Sequence, residues 1–136
     1  KEQYVEPGKV RFVFFDLPLR QHTHAMTAAM AARCAGDQDQ YWAMHDRLFA
    51  EQSSWASSDN PGERFVGYAD DLGLDTRRFE RCMDSELHLE AIENSRQAAV
   101  QLKIASTPTV LVNNIPLNNP HWGQLSAVVE RELQEQ

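Results

Sequence analysis

Apolar and polar positions follow two rhythms along this chain, and the switches between them lay out its elements. Near the start, Val10, Phe12 and Phe14 fall on one side of a period-two pattern, and Val13 and Phe15 on the other. Apolar residues on both sides predict an internal strand over Lys9–Leu17, covered on both faces. Before it, Lys1–Val5 reads as the last turn of a helix, stopped by Pro7-Gly8. From His24 the rhythm becomes helical. His24–Ala35 is dense in alanine and methionine, with Gly36 placed as its terminator. Asp37 and Gln40 have capping-box spacing for a second helix, in which Tyr41, Trp42, His45, Leu48 and Phe49 share a face. A serine-rich loop follows, and its Trp55 is expected to fold back onto the core.

Asn60-Pro61-Gly62-Glu63 carries the signals of another helix start. Phe65, Tyr68, Ala69 and Leu72 form that helix's inner face, and Gly73 ends it. Asp75 caps a short helix bearing Phe79 and Cys82. Ser85 caps a longer one, with Ala91, Ile92, Ser95, Ala98, Ala99 and Leu102 as its inward stripe. Then the period returns to two. Thr109–Val112 reads as a strand opened by Pro108, Asn113-Asn114 as a hairpin turn, and Ile115–Asn118 as a returning strand. Pro116 confines the returning strand to an edge, because proline cannot donate to a ladder. Asn119-Pro120 starts a last helix, on which Trp122, Leu125, Val129 and Leu133 share a face. The order is strand, several helices, hairpin, helix: an α/β or α+β layout with a helical insert.

Composition narrows the function classes. A chain of 136 residues with 42% hydrophobic and 24% charged residues can bury a core of its own. A net charge of −7 argues against nucleic acid or an anionic membrane surface as a general partner. No apolar run approaches the roughly 20 residues needed to span a bilayer. The sequence contains no CxxC, no zinc-type cysteine and histidine spacing and no glycine-rich phosphate loop. It opens on Lys1 without a visible signal peptide, which fits a processed chain or a piece of a longer one.

Few residues are candidates for chemistry. Cys34 and Cys82 each fall on an apolar helical face near a helix C-terminus, where the dipole disfavours a thiolate. A structural disulfide between them is the favoured reading; two buried free thiols and a redox pair are the alternatives. His22 and His24 have no third partner that would make a metal site, so no metal is expected. His45 reads as a hydrogen-bonded core residue, and the aromatic residues Tyr41, Trp42, Phe49 and Trp55 as core rather than a ligand cage. Pro108 admits two readings. It is either an ordinary trans proline opening a strand or a cis proline, since an X-Pro bond loses most of the trans preference.

Six stretches occur in an order that resembles the DsbA-like thioredoxin-fold thiol-disulfide oxidoreductases of the bacterial secreted type. They are Tyr4–Val13, the alanine-rich helix ending Ala31-Ala32-Arg33-Cys34-Ala35, Gln40–Phe49, Leu72–Asp75, Phe79–Cys82 and Ser106–Thr109. The resemblance implies a thioredoxin-like fold of class α/β. Residues 1–20 and 103–136 would form the thioredoxin-like domain, incomplete here, and 21–102 an inserted helical domain. It also implies that Pro108 is the family's cis-proline. Thr107 would then offer its backbone to an extended substrate peptide, so Thr107 and Pro108 are the expected substrate-binding residues. No cofactor is implied. Substrates would be protein or peptide thiols and disulfides, a membrane redox partner would regenerate the enzyme, and the location would be periplasmic or otherwise extracytoplasmic.

The departure from the family is large. The first strand, the Cys-x-x-Cys pair and the first helix have no counterpart in this sequence, so no catalytic residue can be named and this chain alone is expected to be inactive. In the family that first strand lies between the strands matching Lys9–Leu17 and Thr109–Val112. Its absence leaves a gap of roughly 4.8 Å on each side. Unpaired buried backbone groups cost about 1–3 kcal/mol each. The expectation is therefore an upstream segment, a strand lent by another chain as in a strand-exchanged homodimer, or direct closure of the two halves. Two functions follow: a thiol-disulfide oxidoreductase whose CxxC lies outside this sequence, or a redox-inactive peptide-binding or chaperone-like module using the same groove.

Overall fold

The computed structural model describes residues 1–135. The elements in chain order are α1 (Ala25–Gly36), α2 (Tyr41–Ala50), α3 (Gln52–Trp55), α4 (Pro61–Asp71), α5 (Thr76–Asp84) and α6 (Leu89–Gln101). β1 (Leu111–Val112), β2 (Ile115–Pro116) and α7 (Trp122–Gln134) follow. Two compact units divide the chain: Asp16–Gln101, and Lys1–Phe15 together with Leu102–Gln136.

In the unit Asp16–Gln101, α1 is the hub, packing against α2, α4, α5 and α6. Its sequence explains why. Ala28, Ala31, Ala32 and Ala35 are buried, and alanine lets neighbouring helices approach closely. Met44, Phe65, Phe79 and Ile92 fill the space around it and are fully buried. Trp55 folds back as expected: it is buried, and its indole N–H donates to the Leu48 carbonyl at 2.8 Å. Gly73 ends α4 with φ +72. The Gly73 and Leu74 amides reach back to the Asp70 and Ala69 carbonyls, which is a Schellman closure.

Several local expectations are corrected here. Gly36 is the last residue of α1 rather than a left-handed terminator; the positive φ falls on Asp39. A side chain at 36 would crowd Tyr41, whose Cβ lies 3.3 Å from where it would begin. Asp37 closes α1 instead of capping α2, and Ser85 closes α5 instead of starting α6. The second helix is also rotated from its expected face. Met44 and Leu48 are buried, whereas Trp42 and Phe49 are exposed. The aromatic residues instead stack along the flank of α2, with ring centroids 5.1 Å apart for Trp42–His45 and 4.9 Å for His45–Phe49. On α6 Ile92 is buried, but Ala91, Ala98 and Leu102 of the expected stripe face solvent.

The other unit holds the hairpin and α7. β1 and β2 are antiparallel, with Leu111 opposite Pro116 and Val112 opposite Ile115. The turn between them is Asn113-Asn114, and Asn113 takes the positive φ that such a turn needs. Val129 of α7 and Leu117 are buried in this unit. Tyr4 is buried there too, its hydroxyl donating to Glu130 Oε1 at 2.8 Å and its ring 6.0 Å from Trp122. The N-terminal helical turn forms as read: the Val5 amide donates to the Lys1 carbonyl at 2.9 Å, and the Gly8 and Lys9 amides reach back to the Val5 and Tyr4 carbonyls, a Schellman closure on Gly8 at φ +75.

The expected strand over Lys9–Leu17 does not form among the described residues. The sheet there is the hairpin alone, so residues 10–15 and β1 are not closed directly onto each other. A strand is defined by its ladder, and the period-two pattern supplies side chains without supplying a partner backbone. Phe12, Val13 and Phe15 are accordingly 46–72% exposed, far from the two-sided burial their alternation predicts.

Candidate functional site

The loop from Lys103 to Val110 joins α6 to the hairpin. Lys103 turns the chain with φ +58. Ser106, Thr107 and Pro108 follow in an exposed bend, and the Thr107–Pro108 peptide bond is cis. The Thr109 hydroxyl donates to the Ser106 carbonyl at 2.7 Å and closes the bend across Thr107-Pro108. Val110 then accepts from the Leu117 amide at 2.9 Å, extending the hairpin pairing by one bond. Thr107 and Pro108 thus sit side by side on an exposed turn whose two ends are tied.

Cys34 of α1 and Cys82 of α5 are bonded to each other, with an S–S distance of 2.01 Å and Cα atoms 5.8 Å apart. Both are buried in the core of the helical unit. The sequence holds two cysteines, and neither is free. Two polar residues line the rim of this bridge. A ring nitrogen of His88 lies within 4.8 Å of both sulfurs. His88 Nε2 is 2.8 Å from Asp37 Oδ2, which itself lies 3.6 Å from Cys82 Sγ. Neither His88 nor Asp37 is singled out by sequence reasoning. The one available signal is spacing: Cys34-x-x-Asp37 on one helix end, and Cys82 six residues before His88.

A second polar cluster was also missed. Asp16 is buried, and Arg33 meets its Oδ2 with both Nε, at 2.7 Å, and a terminal nitrogen, at 2.6 Å. Tyr41 lies in the field of this pair. Burial, and then the charge of Asp16, push its phenol up to about 12, while Arg33 pulls the other way.

The histidines of the sequence reading part company. Among the described residues the grouping of possible metal ligands is Cys34, Cys82 and His88, and it includes neither His22 nor His24. His45 Nδ1 is 3.0 Å from Asp46 Oδ1 on the flank of α2. A shallow groove of about 500 Å³ is lined by Arg20, Arg96, Gln97, Val100 and Gln101. Arg96 is already paired there with Glu93 at 3.0 Å, which leaves the groove little convergent chemistry. No helix of the described residues is long and apolar enough to cross a membrane.

Comparison with known proteins identifies the family of the chain. A family model described as "Thioredoxin" matches residues 1–131. Among curated proteins, one named "Putative protein-disulfide oxidoreductase" from Rickettsia typhi is 25% identical over the whole chain, which spans 50% of that protein. Its Rickettsia felis counterpart is 26% identical, with 49% of its length spanned. A protein named "Na(+)/H(+) antiporter NhaA 1" from Salinispora arenicola is 36% identical over 83% of the chain, a match that takes in 17% of the antiporter. The chain therefore spans half or less of the length of these relatives. No solved structure matches it significantly.

Proposed function

Because the chain belongs to the thioredoxin family, we propose that it is the substrate-holding part of a DsbA-like thiol-disulfide oxidoreductase acting on protein thiols and disulfides. The observation that carries this reading is the end-to-end match to relatives named as protein-disulfide oxidoreductases. In thiol-disulfide exchange a thiolate attacks a disulfide sulfur, a mixed disulfide forms, and a second thiol displaces it. That chemistry needs a reactive dithiol and a surface that holds the target chain extended beside it. On this reading Thr107 and Pro108 supply the surface. The exposed bend tied by Thr109 and Ser106 offers its backbone to a substrate peptide as a short β-addition.

Cys34 and Cys82 are not the exchanging pair in this reading, because both are buried and joined within the helical core. The dithiol is assigned to a part of the protein outside these 136 residues. A membrane redox partner would regenerate it, and an extracytoplasmic compartment would suit both the exchange and the bridge.

The test uses the protein purified from its own cells. Its intact mass is measured, and thiol-disulfide exchange is assayed on a reduced protein substrate before and after alkylation. A mass above 15.5 kDa, with exchange abolished by alkylation and weakened by Thr107→Pro, supports the reading. A mass of 15.5 kDa with no exchange above background overturns it. Retained binding of unfolded peptides would then favour the redox-inactive peptide-binding module.

A further inference from the structure

The bridge between Cys34 and Cys82 has more polar company than a purely structural disulfide needs. Both sulfurs are core atoms. Yet a ring nitrogen of His88 lies within 4.8 Å of each. His88 stands at the start of α6, where its carbonyl accepts the Ile92 amide, so the helix holds its backbone in place. Asp37, at the end of α1, holds the ring through a 2.8 Å contact to Nε2. Both side chains are part-exposed, 22% for His88 and 32% for Asp37, so they form a polar opening from solvent to the buried sulfurs.

Two sulfurs and an imidazole, backed by a carboxylate, form a recognised donor chemistry. Thiolates and imidazole are the preferred ligands of Zn²⁺. Carboxylates commonly hold a ligating histidine in place, and Asp37 holds His88 by its Nε2. In the oxidised chain the sulfurs are bonded to each other and offer no thiolate. We propose that reduction of the Cys34–Cys82 disulfide creates a binding site for a Zn²⁺-like divalent cation, with Cys34, Cys82 and His88 as ligands and Asp37 as the partner of His88.

The step balances as follows. A dithiol reductant gives two electrons and two protons to the bridge and leaves as its own disulfide, producing the Cys34 and Cys82 thiols. Binding of the divalent cation then releases both thiol protons to solvent. Tetrahedral Zn²⁺ holds sulfur and nitrogen ligands about 3.5–3.8 Å from one another. Freed sulfurs move apart toward that distance, and the His88 nitrogen closes from within 4.8 Å. The fourth position falls to water at the opening. The inference stands independently of the exchange activity proposed above, since it uses neither Thr107 nor Pro108.

Cobalt(II) is the probe, because thiolate–cobalt charge transfer and tetrahedral ligand-field bands report the donor set directly. The chain is reduced with a phosphine under anaerobic conditions and titrated with Co²⁺, then with Zn²⁺. Expected are thiolate–cobalt bands at one ion per chain, their loss on adding Zn²⁺, and no bands with the oxidised chain. His88→Gln keeps the disulfide and hence the fold, and should weaken Co²⁺ binding to the reduced form by at least about tenfold; Asp37→Ala should weaken it by roughly tenfold. Helical circular dichroism is followed in the same samples. If reduction unfolds the chain, Zn²⁺ should restore the helical signal. Absence of thiolate–cobalt bands from the folded reduced chain, failure of Zn²⁺ to refold an unfolded one, or binding unchanged by His88→Gln would each overturn the proposal.

Discussion

Asp16 Oδ2 is held by Arg33 Nε at 2.7 Å, and Asp16 is only 4% exposed. The carboxylate stands at the first residue of the helical unit, and the guanidinium comes from α1, its hub. The pair pins the entering chain to the helix around which everything else in that unit packs. Breaking a buried pair strands one charge in a poorly solvated site, at a cost of about 3–5 kcal/mol. Arg33 retains 28% exposure, which places this pair at the lower end. Asp16→Ala should therefore destabilise the chain by about 3 kcal/mol in denaturant unfolding. Asp16→Leu combined with Arg33→Met should cost less than the sum of the two single changes. Additive single effects would show that the pair does not act as a unit.

The rotation of α2 separates two residues that periodicity alone treats alike. Phe65 is fully buried and lies 5.5 Å from the Trp55 ring, whereas Phe49 is 60% exposed. Phe65→Ala removes a packed ring and leaves a cavity, and should cost about 3–5 kcal/mol. Phe49→Ala gives up a flank contact with His45 and should cost less than about 1 kcal/mol. Thermal unfolding of the two variants checks the ranking. Equal losses would mean that Phe49 is core after all.

These two cases show where sequence patterning stops. Helix positions are legible because each helix satisfies its own backbone, and Pro61, Gly73 and Asp75 mark ends by local chemistry that does not depend on neighbours. Which face of a helix is buried depends on what packs against it. Trp42, His45 and Phe49 bury part of their rings against one another and leave the core face of α2 to Met44 and Leu48. A strand depends on others still more strongly, so Val10–Phe15 carries the alternation of a strand without forming one among the described residues. The Asn113-Asn114 turn was readable for the opposite reason, since its φ requirement is met within the turn itself. The polar rim of the bridge was not readable. Asp37 and His88 lie 51 positions apart and meet only because α5 and α6 both pack against α1.

The bridge itself closes a separation of 48 residues between α1 and α5. Cross-linking a loop of that length removes denatured-state entropy worth about 4 kcal/mol in the chain-entropy model. Cys34→Ala with Cys82→Ala should lower unfolding free energy by about that amount, and adding reductant should then change nothing further. Wild-type chain should lose comparable stability on reduction without metal. A double variant as stable as the wild type would show that packing of α1 against α5, not the covalent link, holds these helices together.

Tyr41 gives the unit a weakness at high pH. Its phenol ionises at 10.0 when unperturbed, but burial first and the Asp16 charge second hold it neutral up to about 12 in the folded chain. The unfolded chain therefore sheds this proton first. The stabilising contribution of the neutral phenol is complete below pH 10, and it is lost as pH rises from 10 toward about 12. Tyr41→Phe removes the ionisable group and keeps the ring that packs against Gly36. Unfolding free energy of the wild type should fall more steeply across that window than that of Tyr41→Phe, whatever the offset between them at neutral pH. Parallel curves would mean that Tyr41 ionises no later in the folded chain than in the unfolded one. The buried environment formed by Asp16, Arg33 and Tyr41 would then have to be more open to water than its geometry shows.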